Sequence, residues 1–170
     1  MALITPGTDA TIKATKAESQ LFHALMLLQE VEASSTYNPN RTDAVQTSFN
    51  DNTLTFTARF DIPCEQRLVN GVAGFNGKNY LPNYTAFSAG STSGNFKSTN
   101  LPAYAVEVIY YCQILENTSA SNPDNKNFIN ATFDSDKQTF TGTITLPYTR
   151  TIDASGDVKM SISEYLLTEG

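Results

Sequence analysis

Asn50-Asp-Asn-Thr-Leu-Thr-Phe-Thr-Ala-Arg-Phe-Asp-Ile-Pro63 and Asp134-Ser-Asp-Lys-Gln-Thr-Phe-Thr-Gly-Thr-Ile-Thr-Leu-Pro147 stand 84 residues apart and follow one pattern. Each opens on a cluster of Asn, Asp or Ser, passes into strict alternation and stops at a proline. In the first, Leu54, Phe56, Ala58, Phe60 and Ile62 share one side; in the second, Phe140, Gly142, Ile144 and Leu146 do, with threonine on the other side. A period of two means strands that bury one face and wet the other. The Asn/Asp clusters tolerate left-handed geometry and suit tight turns. They therefore join these strands to the preceding runs Val45 to Phe49 and Ile129 to Phe133 as hairpins. Pro63 and Pro147 are expected to end the strands, because proline has no N–H to give a ladder.

The correspondence extends outward. Residues 19–63 align with 103–147 without a gap, and ten of the 45 pairs are identical. They include Gln29/Gln113, Glu32/Glu116, Asn38/Asn122, Pro39/Pro123, Phe49/Phe133 and Phe56/Phe140. Composition explains the threonine matches but not this ordered series, and the expectation is an internal duplication.

Reading the halves together assigns the segments before the hairpins. Leu21 to Glu32 carries Leu21, Ala24, Leu25, Leu28 and Val31 at helical spacing, with Thr15 and Glu18 as a capping box. Tyr104 to Glu116 has β-branched and aromatic content that favours a strand. Yet Ala105, Val108, Ile109, Cys112 and Leu115 repeat the same apolar stripe, and Pro102 suits a first helical turn, so this too is predicted to be a helix.

The halves then diverge. The second continues through the turn Asp153 to Asp157 into an alternating strand, Val158 to Tyr165. The first carries a longer extension, 64–100, in which Gly71, Gly74 and Gly77 suggest turns, Tyr80 to Phe87 a possible strand, and Ser88 to Gly94 a polar loop or linker. The expected fold is α+β. Two α-β-β-β units, 8–100 and 101–170, place two helices on one face of an antiparallel sheet about a pseudo-twofold, in a single domain spanning 1–170.

Composition narrows function. The 170 residues carry a net charge of -6 and only 16% charged residues, while 22 Thr, 14 Ser and 15 Asn supply the polarity. An acidic surface repels phosphates, so no nucleic-acid partner is expected. No run approaches the ~18 apolar residues of a membrane span. The N-terminus lacks the basic and apolar regions of a signal peptide, which makes the expected location cytoplasmic, with assembly in a virion or at a surface left open. Cys64 and Cys112 lack metal-ligand spacing and His23 is the sole histidine, so no metal or other cofactor is expected. Asp134-Ser-Asp136 begins like a calcium loop but has Thr139 and Thr145 where that loop needs Gly and Glu, and a hairpin turn accounts for it.

Three functional readings survive, with no catalytic residues assigned. The first is a non-enzymatic interaction or assembly protein that associates with itself or another protein through sheet or helix surfaces. The second is a small-ligand module, carbohydrate-like in its preference, using the aromatics of the 75–96 loop: Phe75, Tyr80, Tyr84, Phe87 and Phe96. The third is a carboxylate enzyme using Glu32 and Glu116 brought together across the pseudo-twofold, or Tyr110 and Tyr111.

Overall fold

The computed structural model describes residues 10–12, 17–69, 72–81, 83–84, 87–89, 100–163 and 165–166. Its elements in chain order are β1 (Ala10–Ile12), α1 (Ala17–Glu32), β2 (Val45–Asn50), β3 (Thr55–Val69), β4 (Val72–Gly77), β5 (Phe87–Ala89), α2 (Leu101–Glu116), β6 (Ile129–Asp134), β7 (Thr139–Ile152) and β8 (Val158–Ile162). The fold is α+β, with two helices and a six-stranded antiparallel sheet. The central path runs β2-β3-β7-β6, β4 joins the far part of β3, and β8 joins the far part of β7. A separate parallel pair joins β1 to β5.

The strand alternation places the core. Phe56, Ala58, Phe60, Ile62, Phe140, Ile144 and Leu146 are buried with Leu21, Leu25 and Leu28 of α1 and Val108, Ile109 and Cys112 of α2. Phe22 meets Phe56 edge-on at 5.0 Å, and Phe60 stacks on Phe140 at 5.7 Å. The helices also contact each other, so a two-layer core forms with one sheet face left to solvent. α2 is helical despite its β-branched content because it is buried on nearly every side, and packing overrides propensity there. It begins at Leu101, where the Asn100 side chain accepts the Ala103 N–H at 3.1 Å.

Four strand expectations are corrected. Both strands run through their prolines, β3 to Val69 and β7 to Ile152. The N–H groups of Asp61 and Thr145 point to the outer neighbours of β3 and β7, so by alternation Pro63 and Pro147 turn the nitrogen to the same side. There the β2 and β6 ladders have ended, and the proline carbonyls accept Lys78 N–H from just beyond β4 and Ser163 N–H from just beyond β8. Each proline sits where one edge changes partners and no donor is needed. The glycines of 74–77 form strand β4 rather than turns, and Gly77 lies so close to the first turn of α2 that a Cβ would stand 2.7 Å from the Pro102 carbonyl oxygen. The described part of Tyr80 to Phe87 is not a strand until Phe87. Leu54 is no inward strand residue: it closes the β2–β3 turn at φ 53° and is 40% exposed.

The turns use their polar clusters alike. Asn50 accepts the N–H groups of Asn52 and Thr53, and Asp134 accepts those of Asp136 and Lys137. Leu54 and Gln138 both take a positive φ, as do Arg41 and Asn125.

Candidate functional site: the seams between helix ends and sheet edges

Each helix ends over an edge strand, and polar side chains stitch the two together. Asn38 donates to the carbonyls of Glu32 and Thr42 and accepts the Thr42 N–H; Asn122 does the same with Glu116 and Lys126. This closes the link between helix and strand, and the following prolines enter the turns whose Arg41 and Asn125 N–H groups return to the Asn38 and Asn122 carbonyls. Glu32 accepts the N–H groups of Ala44 and Val45 at 3.2 and 3.4 Å, while Glu116 accepts those of Phe128 and Ile129 at 3.0 and 3.3 Å. A tyrosine hydroxyl donates to each carboxylate, Tyr80 to Glu32 and Tyr165 to Glu116.

Burial pushes the Glu32 carboxyl up to about 7, against the opposing pull of the Tyr80 hydroxyl and the two backbone donors. Both tyrosines are raised, chiefly by burial and by the carboxylate beside them. The two glutamates do not form one site. They bond to β2 and β6, which lie three strand spacings, or about 14 Å, apart across the sheet. Each serves its own seam, and the paired-carboxylate expectation is corrected accordingly.

The seams differ at one place. Gln113 reaches the outer edge of β6, donating to the Ala131 carbonyl at 3.2 Å and accepting the Ala131 N–H at 2.7 Å. Its amide thus replaces a neighbouring strand. Gln29 occupies the matching position but accepts from the Thr47 hydroxyl instead of meeting the main chain. In β2 the main-chain groups of Gln46, Ser48 and Asn50 pair with β3, so those of Val45, Thr47 and Phe49 point away from the sheet. Glu32 holds the Val45 N–H. No described residue meets the main chain of Thr47 or Phe49 on that side. A groove of about 320 Å³ runs along this seam, lined by Gln29, Glu32, Arg41, Asp43 and Thr47 among others. The β6 seam has one of about 330 Å³ with uncharged Gln113, Asn117 and Asn127.

The aromatic candidates lie elsewhere. Phe75 packs on Tyr110, Phe133 and Phe140 at 5.1 to 5.6 Å, Tyr84 is buried against Tyr37, and Tyr80 is engaged by Glu32. These three rings complete the core rather than forming an exposed platform, because the extension folds back under α2 and the α1 seam. Phe87 begins β5, and Phe96 lies outside the described residues. Tyr110 and Tyr111 are half-buried on α2. Sequence reasoning missed Gln113 as an edge cap; its identity with Gln29 was the available signal, but two equal residues give no hint that only one meets backbone.

Glu18, fully buried at the start of α1, accepts the Tyr165 and Leu166 N–H groups at 2.6 and 2.7 Å and so fixes the segment after β8. A broad depression of about 560 Å³ lies on the open sheet face around Arg59, Asp61, Gln46 and Thr143. Among the described residues no His, Cys, Asp and Glu cluster is placed to hold a metal, and no helix is long and apolar enough to cross a membrane. No family model, curated protein or solved structure matches the chain.

Proposed function

We propose that this chain is a non-enzymatic interaction or assembly protein, built from a duplicated α-β-β-β unit, that associates through its sheet. The observation carrying this reading is the unequal treatment of two equivalent edges. Edge strands are aggregation templates unless blunted by charge, proline or cover. Gln113 covers β6 at Ala131, whereas β2 presents its outward main chain beside a polar groove and has no charged residue in Val45–Asn50. An open edge of this kind takes an added strand through main-chain hydrogen bonds. A reducing, cytoplasmic setting accords with two free, buried cysteines. The test is sedimentation velocity over a wide range of concentration. A mass rising above that of one chain is expected, and a strict monomer throughout removes self-assembly.

A further inference from the structure

Resting on that reading, we infer that the occupant of the β2 edge is a second copy of the same strand, antiparallel, with Ser48 opposite Ser48 of the second copy. Three observations select this partner and register.

The first is which groups are free. Outward main-chain groups belong to odd-numbered residues of β2, and that of Val45 is already held by Glu32, leaving Thr47 and Phe49. An antiparallel strand must match these with its own free pair. When Thr47 faces Phe49 of the second copy and Phe49 faces its Thr47, each pair exchanges both N–H···O bonds, and the twofold falls on Ser48.

The second is charge. Chains of net charge -6 repel one another, and any shared edge must keep carboxylates apart. Val45–Asn50 is neutral, but Asp43 and Asp51 flank it. Centring the dyad on Thr47 would set Asp43 directly opposite Asp51. Centring it on Phe49 would set Asp51 against Thr47 and leave Thr47 without its free counterpart. With Ser48 at the centre, Asp43 falls opposite Thr53 and Asp51 opposite Val45, so no two carboxylates are directly opposed along the strands; the Glu32 carboxylate held at Val45 then neighbours Asp51 of the second copy, whose charge Arg150 offsets at 3.7 Å. The neutral strand matches itself without a directly opposed like-charge pair.

The third is the difference between the edges. At β6 the Gln113 amide takes both main-chain groups of Ala131, the counterpart of Thr47, and the strand's last residue is Asp134. A twofold pairing uses up the β2 edge of both copies, and on β6 the Gln113 amide takes the main chain of Ala131, so pairing closes into a dimer with an eight-strand central path instead of growing into a fibre.

The register is tested by cross-linking in the full chain. Ser48 is exposed and would occupy a non-hydrogen-bonded pair, whose Cα atoms lie about 4.5 Å apart, within disulfide range. Cys64 and Cys112 are buried and do not compete. Ser48→Cys with oxidised glutathione is expected to give a covalent dimer on a non-reducing gel. Thr132→Cys, the matching site on β6, is expected to stay a monomer. Thr47→Pro removes an outward N–H that the internal ladder does not use, as an edge strand tolerates. It is expected to abolish association in sedimentation while the far-ultraviolet circular dichroism of the folded chain is kept. If Ser48→Cys fails to cross-link while the unmodified chain associates in sedimentation, the β2 pairing is overturned and the assembly reading stands. If the unmodified chain is monomeric at every concentration, both fall.

Discussion

Arg59 of β3 lies directly opposite Thr143 of β7, and Thr143 is also the residue 84 positions after Arg59. The rest of the ladder is symmetric about this pair: Thr57 faces Thr145, and Asp61 faces Thr141. The centre of the sheet is therefore a local twofold on the solvated face. The two seams lie on either side of it, which is why perturbing one and not the other is informative.

Glu32 makes stability depend on pH. Its carboxyl ionises near 4.5 when unfolded and at about 7 when folded. The folded state thus holds the proton more tightly, so this contribution is complete below pH 4.5 and is lost as pH rises through 7. Each pKa unit is worth ~1.4 kcal/mol, and partial exposure reduces the total to about 2 kcal/mol. Urea midpoints measured from pH 4.5 to 8 should fall for the wild type. For Glu32→Gln they should change less, and an equally steep fall in the variant refutes the assignment.

Asn38 and Asn122 each close three hydrogen bonds in a separate seam. Replacing either by Ala leaves buried main-chain groups unsatisfied and should cost about 2–3 kcal/mol. Because they share no partner, the double variant should lose the sum of the two. Chemical denaturation measures this, and strong non-additivity would show the seams to be coupled.

Gln113→Ala strips the cover from β6, and Thr47→Ala releases Gln29 to meet the main chain of β2 as Gln113 does at Ala131. Amide exchange, followed by NMR at dilutions where the chain is monomeric, should accelerate at Ala131 in the first variant and slow at position 47 in the second. Gln113→Ala should also lose about 1 kcal/mol.

Gly142 faces the β6 backbone so closely that a Cβ would stand 1.9 Å from the Asn130 carbonyl oxygen. Ala58 holds the corresponding position in β3, where a side chain fits. Gly142→Ala should push β6 away and cost at least ~3 kcal/mol, while Gly156→Ala, with open space around it, pays only for its φ of 85°. Thermal melts of the two variants should separate clearly.

Cys64 is pushed up to about 11 and Cys112 well above the ordinary thiol range, both chiefly by burial. A colorimetric thiol reagent at pH 8 should label neither in the native state and both in denaturant. Rapid native labelling would contradict the packing at Cys64 or Cys112.

Much of this architecture was legible. Alternation at Phe56 to Ile62 and at Phe140 to Leu146 showed which face is covered, and the aligned stripe made α2 a helix against its own propensity. What escaped was decided by neighbours. Whether Pro63 ends a strand depends on which side its nitrogen faces, and that follows from where β2 stops pairing. Gly77 of β4 reflects the approach of Pro102, far along the chain. Glu32 and Glu116 were visible as a pair, but a linear alignment cannot show that equal residues serve opposite edges. The rings of the extension looked like a binding loop because nothing in 75–84 names Tyr37, Tyr110 or Phe140 as their contacts.

The prolines carry one more implication. Up to Pro63 and Pro147 the two central strands are locked into a common register, and beyond them each carries a private hairpin. Two residues separate Val69 from Val72 in one, and five separate Ile152 from Val158 in the other. That difference never reaches the centre of the sheet. The hairpins behave as exchangeable tips on a fixed frame, and the exposed 153–157 turn is where foreign peptide could be inserted for display without disturbing the strands that hold the molecule together.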